Sequence, residues 1–222
     1  MSTSTFLRAR SQEAKQLRVN DILEAARALG TAHGVGSVSL TDIANAVGMH
    51  KSALLRYFET REQIFLIITA SAWQEWADDV VKRLQRLRKP SPASVAAVLA
   101  KSLAERPLFC DLVAHAALSL ERHVSLDAIR TFKTAALDSS HAIAAGLQAL
   151  APLTHRQAID VVATATNMAG ALWQIATPAP EVLPLYRSDP RLSHVVADIA
   201  PRLTSILEGL LKGFTAENEP AR

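Results

Sequence analysis

Hydrophobic residues recur at spacings of three and four along most of the chain, which is the period of an amphipathic helix. The clearest stripe lies within residues 60–89 and consists of Phe65, Ile68, Ala72, Trp76, Val80, Leu84 and Leu87. Alanine and leucine, both good helix formers, dominate the composition, and no alternating strand pattern or internal repeat stands out. The pattern therefore predicts an all-α protein.

Capping residues and prolines divide this pattern into about nine helices. Capping boxes are predicted at Ser39 with Asp42 and at Thr60 with Gln63. The predicted helices cover residues 11–33, 39–48, 50–57, 60–89, 92–105, 107–122, 125–150, 154–176 and 189–213. The proline-rich segment at 177–190 predicts a non-helical connection between the last two.

The second and third predicted helices are short and lie close together, separated by Gly48, which can take the positive φ of a tight turn. The third is crowded with polar side chains, which suits a helix that lies against a polar, negatively charged surface. This arrangement predicts a helix-turn-helix, whose second helix can enter a DNA major groove about 12 Å wide. The candidate contacts are Lys51, Ser52 and the neighbouring His50 for base edges, and Thr41, Arg56, Tyr57 and Arg61 for phosphates.

Several of these basic and aromatic side chains also have a structural alternative. Lys51 or Arg56 taken alone could belong to a solvated helix face, and Tyr57 could pack in the core. A further basic group near the N-terminus could follow the DNA as an arm or form a tail with non-specific affinity. That group consists of Arg8, Arg10, Lys15 and Arg18.

The segment ILEAARALGTAHGVGSVSLTDIANAVGMHKSALLRYFETREQIF, residues 22–65, resembles the DNA-binding domain of the tetracycline-repressor (TetR) family of bacterial transcription regulators. The matching features are AA-x-x-L in the first helix, S-x-x-x-IA-x-x-x-G around the second, and YF-x-x-(K/R)-E before the fourth. The resemblance is specific over roughly residues 19–68, and it implies a homodimer whose DNA binding is relieved or altered by a small molecule. Leu55 departs from the family's usual tyrosine, and Arg61 replaces its common lysine.

The resemblance and the helix pattern together predict the division of the chain. Residues 1–18 form an N-terminal arm and the start of the first helix, and residues 19–65 form the helix-turn-helix domain. Residues 66–214 form an effector-binding and dimerisation domain, and residues 215–222 a polar tail.

Two helices of the second half carry enough apolar surface to predict a homodimer interface, through the eighth and ninth helices of each subunit. The ninth shows a heptad seam of Leu192, Val196, Ile199, Leu203, Ile206 and Leu210. The eighth is apolar on two faces, so both must be covered. One face holds Ala158, Val161, Ala165, Met168, Leu172 and Ile175, and the other Val162, Thr166, Ala169, Gly170 and Trp173. The alternative is that both helices fill a monomer core.

An apolar pocket with a few polar groups is expected among the fifth to eighth helices, and it would suit an amphipathic organic effector. Its candidate lining is Phe109, Leu112, His115, Asn167 and Trp173. The neighbouring Cys110, Asp111 and His115 raise the alternative of a catalytic or metal site. No H-E-x-x-H, paired C-x-x-C or Gly-rich phosphate loop accompanies them, so the sequence favours a protein that is not an enzyme and needs no metal or cofactor.

Net charge and cysteine content narrow the class further. The formal net charge is +3 with a pI near 9.2, an excess too small to establish a nucleic-acid partner without its position. A single cysteine, the lack of an apolar leader and the polar residues within the most apolar stretch predict a soluble, cytoplasmic protein without a membrane partner. The prediction is a ligand-responsive transcriptional regulator, and its rival is a helical small-molecule binder that has lost specific DNA binding.

Overall fold

The computed structural model describes residues 3–195 and 198–218, with side chains from residue 12 to 192 and from 198 to 218. These residues contain ten α-helices and no strand. The helices are α1 Thr3–His33, α2 Leu40–Ala46, α3 Lys51–Leu54, α4 Arg61–Gln85, α5 Pro92–Ala104, α6 Pro107–His115, α7 Leu126–Gln148, α8 His155–Ala176, α9 Leu183–Ser188 and α10 Ile199–Asn218. Shorter 3-10 helices span Val35–Ser37 and Pro190–Val195, and a π-helical turn spans Ala116–Leu120.

The all-α prediction is confirmed, but the bounds of several helices differ from the predicted ones. α1 begins at Thr3 rather than at residue 11, α3 ends at Leu54 rather than at residue 57, and α4 ends at Gln85 rather than at residue 89.

Further differences lie in the second half of the chain. The segment predicted as non-helical contains α9, because Pro184 lies in the first turn, where a helix needs no N–H donor. The predicted sixth helix changes from α to π at Ala116, and the final helix begins at Ile199 rather than near Pro190. The predicted seam residue Val196 lies outside the described residues, as do the side chains of Arg8 and Arg10.

Capping residues predicted from the sequence fix the N-terminal ends of α2 and α4. Ser39 caps α2 with a reciprocal hydrogen-bond pair to Asp42, as predicted. Thr60 caps α4 by accepting from the Gln63 N–H at 3.1 Å, but the Gln63 side chain accepts from the backbone of Glu59 instead of Thr60. Each such cap satisfies N–H groups that the helix itself cannot pair.

Two packed regions share the long helix α4. In the first region, α1 to α3 bury a small core of Ile22, Ala26, Ile43, Leu54 and Phe58. In the second, α4 packs on α7, α5 on α10, and α6 on α8. Within the described part of the chain, no helix has both the length and the hydropathy that crossing a bilayer would require.

An aromatic cluster fills the centre of the second region. The rings of Trp73, Trp76 and Phe109 lie 5.4–5.6 Å apart, and the Trp76 Nε1–H donates to Ser102 Oγ at 2.9 Å. Phe109 and Leu112, both predicted to line the effector pocket, are therefore core residues that are 3% and 0% exposed. Their periodicity on α6 could not distinguish a cavity wall from a packed core.

Candidate DNA-binding surface and effector cavities

The short helix α3 is held by its apolar side and shows its polar side to solvent. Leu54 is fully buried, and the Met49 N–H donates to the Ala44 carbonyl at 2.9 Å across the turn. Gly48 has a φ of +64°, a conformation that side chains disfavour, so the predicted role of this glycine is confirmed. The rigid turn thus fixes the direction in which α3 projects.

Most predicted DNA contacts lie exposed on this surface. Thr41, His50, Lys51, Ser52 and Arg56 are exposed, and none of them makes an ion pair within the described residues. Tyr57 is half-buried and packs against the core, so only part of its side chain is accessible to a partner. Leu55 is also exposed, at 46%, where a hydroxyl-bearing side chain would be accessible.

Arg61 is placed differently from the phosphate contact that the sequence suggested. Its guanidinium donates to the carbonyls of Val35 and Val38, pairs with Glu62 at 2.9 Å and lies 4.9 Å from the centre of the Phe65 ring. The side chain is 16% exposed. Its donors are directed at backbone acceptors after α1, so it connects α4 to that turn instead of presenting its charge to solvent.

A cavity of about 510 Å³ opens where the end of α1, the start of α6 and the end of α8 meet. We call it the junction cavity. Its wall includes Asp111, His115, Trp173 and Gln174, together with residues of the turn after α1 and of the segment 177–180. Of the five predicted effector residues, His115 and Trp173 line this cavity.

A second cavity, of about 320 Å³, lies between α6, the π-helical turn and the outer side of α8. Asn167 lines this one, together with Ala171 and Leu118, and both His115 and Gln174 form part of its wall as well. The predicted lining is therefore divided between two neighbouring cavities, with Phe109 and Leu112 in neither.

Asp111, a residue that is 6% exposed, lies in the wall of the junction cavity, and its carboxylate contacts His115 and Gln174, the two residues that line both cavities. It accepts from the backbone N–H of Val35 at 2.6 Å and from Gln174 Nε2 at 2.6 Å, and His115 Nδ1 lies 3.2 Å away. Burial raises the Asp111 pKa, but these hydrogen bonds outweigh it and hold the pKa below its usual value. The bond to Asp111 raises the pKa of His115 in turn.

Sequence reasoning singled out His115 but gave Asp111 and Gln174 no part in the effector site. The spacing of four between Asp111 and His115 was a visible signal, yet the partner residues Val35 and Gln174 are 76 and 63 positions away from Asp111. The adjacent Cys110 is buried, and burial raises the pKa of its thiol to about 12, so it lacks the thiolate that redox chemistry needs. In the described residues, no three metal-binding side chains come together.

The fold and the exposed α3 surface define a helix-turn-helix DNA-binding protein with a helical ligand-binding domain. The family described as "Bacterial regulatory proteins, tetR family" matches residues 22–68, and "Tetracyclin repressor-like, C-terminal domain" matches residues 70–218. The chain therefore belongs to the tetracycline-repressor family of transcriptional regulators, which are regulators and not enzymes.

Solved structures share this fold at low sequence identity. The TetR family regulator PfmR from Thermus thermophilus is 16% identical, with a TM-score of 0.52 over 86% of this chain and 97% of that one. A transcriptional regulator from Rhodococcus sp. Rha1 is 16% identical, with a TM-score of 0.52 over 92% and 99%. The fatty acid degradation regulator FadR from Bacillus halodurans is 12% identical, with a TM-score of 0.50 over 86% and 94%. No curated protein sequence matches the chain.

Proposed function

We propose that this chain is a repressor that binds a palindromic operator as a homodimer and is released by a small organic effector. The observation that carries the proposal is α3, a short helix with exposed Lys51 and Ser52 held rigidly over a buried Leu54. Residues 19–65 contact DNA in this proposal, and residues 66–214 bind the effector and dimerise. The protein then works in the cytoplasm, where bacterial DNA lies.

Within α3, Lys51 and Ser52 read base edges with His50 beside them, and Thr41, Arg56 and Tyr57 position the protein on phosphates. The Lys51→Ala variant should lose about 1–3 kcal/mol of operator affinity and less affinity for random DNA. Lys101→Ala is the matched control, because Lys101 is an exposed lysine on α5, away from α3. An equal loss on operator and random DNA would reduce Lys51 to a phosphate contact.

The dimer proposal rests on what the subunit leaves uncovered. Most of both apolar faces of α8 is buried within the subunit, but a stripe of small and polar residues remains exposed, including Ala163, Asn167 and Ala171. On α10, Ile206 and Leu210 of the predicted seam are only partly buried. Beside them, Gly209 faces open space, because no atom lies within 4 Å of a Cβ built at this residue. Small residues allow a second α8–α10 pair to approach closely.

To read one palindromic site, an isologous dimer of this kind must place its two α3 helices about 34 Å apart, one turn of DNA. Light scattering at micromolar protein should give twice the chain mass of 24.0 kDa, and a mass near 24.0 kDa would reject the dimer. Ala163→Glu should weaken association because it introduces a charge into the stripe at a position that lines neither cavity. Ala145→Glu, on an exposed position of α7, is the control that should not.

The effector site is proposed at the two neighbouring cavities, with His115, Asn167, Trp173 and Gln174 as its lining. An indole ring beside amide and imidazole groups suits a compound with an apolar body and a few hydrogen-bonding groups. An effector shifts the protein away from DNA only by its differential affinity for the two forms. Operator release by such a compound should therefore weaken when Trp173 is changed to alanine.

One observation favours a second candidate, a helical small-molecule binder without specific DNA binding. Leu55, the residue that follows α3, is exposed at a position where the family's usual tyrosine would add a phosphate contact. A salt titration separates the two functions. For a DNA-binding protein, the logarithm of the association constant falls with the logarithm of the salt concentration, with a slope of about −0.9 per phosphate contacted. Binding that is both weak and independent of DNA sequence would favour the second candidate.

A further inference from the structure

The backbone of Val35 is held from two directions by side chains of different helices. Its N–H donates to the Asp111 carboxylate of α6 at 2.6 Å, and its carbonyl accepts from the Arg61 guanidinium of α4. We call this set, Asp111, Val35 and Arg61, the Val35 clamp. Val35 itself is fully buried.

Because Val35 lies in the turn between α1 and α2, the clamp is connected through the backbone to the helices that are proposed to bind DNA. Val35 starts the 3-10 turn after α1, and four residues later Ser39 caps α2, which leads through Gly48 into α3. Arg61 also holds the carbonyl of Val38, the residue just before that cap. The connection from α1 to α2 is thus fixed at both ends, once by the effector-binding region and once by α4.

The carboxylate is also tied to the far side of the effector-binding region. Gln174, near the end of α8, donates to Asp111 at 2.6 Å, and His115 lies 3.2 Å from it. His115 in turn packs on the turn itself, because a side chain built at Gly36 would come within 3.0 Å of its Nε2 atom. A change in α6 or α8 therefore reaches Val35 through atoms in direct contact.

From this geometry we infer that Asp111 is the positioning residue through which the effector-binding region sets the placement of α2 and α3 on DNA. A ligand bound in the junction cavity would contact this set of residues directly, because Asp111, His115 and Gln174 all form the wall of the cavity. A ligand that draws the Gln174 amide or the His115 ring toward itself removes partners from the carboxylate that holds Val35. The inference rests on the proposed function for its biological meaning, but the coupling can be measured without an effector or operator.

The first test removes the Val35 donor while keeping a side chain of similar size. Val35→Pro lacks the N–H, and proline is tolerated at the first position of a helical turn. Val35→Ala keeps the N–H and loses only side-chain volume, so it is the matched control. At equal folded fraction, operator dissociation should be roughly tenfold faster or affinity roughly tenfold lower for Val35→Pro than for Val35→Ala. Equal operator affinities would overturn the inference.

The second test uses Asp111→Asn, which keeps the shape and one acceptor but removes the charge, and amide hydrogen exchange as the readout. We expect exchange in residues 35–58 to accelerate at least several-fold while residues 126–148 of α7 stay unchanged. Uniform acceleration of exchange would mean that Asp111 only stabilises the fold as a whole. No acceleration would mean that Asp111 does not hold Val35 and the helices that follow it. Either result would overturn the inference. This readout also stands if the wild-type chain binds no operator, an outcome that would reject the proposed function alone.

Discussion

At Gly170, α8 packs closely against the backbone of α6, and adding a single methyl group there tests the packing that positions Asp111 and Gln174. A Cβ at Gly170 would lie 3.2 Å from both the Ala114 nitrogen and the Cys110 carbonyl oxygen. These are backbone atoms of α6, so they cannot move aside by rotating a side chain. The two helices would have to separate by a few tenths of an ångström.

The expected magnitude follows from two opposing effects. Overpacking of this kind costs about 1–3 kcal/mol, whereas replacing glycine by alanine within a helix contributes about 1 kcal/mol of stability. Gly146→Ala on α7 is the matched control, because its Cβ would meet only the Leu84 side chain, at an ordinary 3.5 Å. The helix-propensity gain is common to both variants, so Gly170→Ala should be about 1–3 kcal/mol less stable than Gly146→Ala.

Urea denaturation at a fixed protomer concentration measures this difference, since the stability of an oligomer depends on concentration. Hydrogen exchange of the Val35 amide should also accelerate in Gly170→Ala, because Gln174 lies one helical turn further along α8. If Gly170→Ala proved as stabilising as Gly146→Ala, the close α6–α8 contact would not be as described, and the geometry around Asp111 would lose its support.

Three further predictions follow from single contacts. Ser39→Ala should lower the thermal stability by about 1 kcal/mol, because it removes the cap of α2. Phe109→Ala should cost about 3–5 kcal/mol in urea denaturation, because it empties the aromatic cluster. The Asp111–His115 pair should also make stability depend on pH. The folded-state pKa of His115 is raised above 6.5, so the stability that His115 contributes is fully present below pH 6.5 and is lost as the pH rises through the folded-state pKa. The folded-state pKa of Asp111 is lowered below 3.8, so the stability that Asp111 contributes is present above pH 3.8 and is lost as the pH falls through the folded-state pKa. His115→Gln should flatten the loss on the alkaline side, and an unchanged pH profile of the denaturation midpoint would contradict the pairing.

Local signals were sufficient to predict most helices and the turn of the DNA-binding unit. A capping serine, a glycine with positive φ and a three-to-four period each act over a few residues, so Ser39, Gly48 and the α4 stripe could be read directly. The same reliance on local signals explains why helix α9 was not predicted. Proline count suggested a break, but a proline in the first turn of a helix is compatible with it.

The site depended on contacts that no local pattern contains. Arg61 looked like a phosphate contact because it lies beside the DNA-binding helices, and its actual partners, the carbonyls of Val35 and Val38, are backbone atoms that carry no sequence signature. Likewise, Phe109 has the spacing of a pocket residue and the surroundings of a core residue. Only the packing of α6 against α4 and α8 decides between these roles.

In the proposed function, α3 reads a specific DNA site as part of a dimer. The most direct test of this proposal is selection of bound fragments from the fragmented source genome, followed by footprinting of the best one with the wild-type protein and with Lys51→Ala. We expect a protected palindrome whose half-sites lie about 34 Å apart, one helical turn, with protection lost in the variant. No enriched fragment at low salt, from a folded dimer, would contradict the proposal.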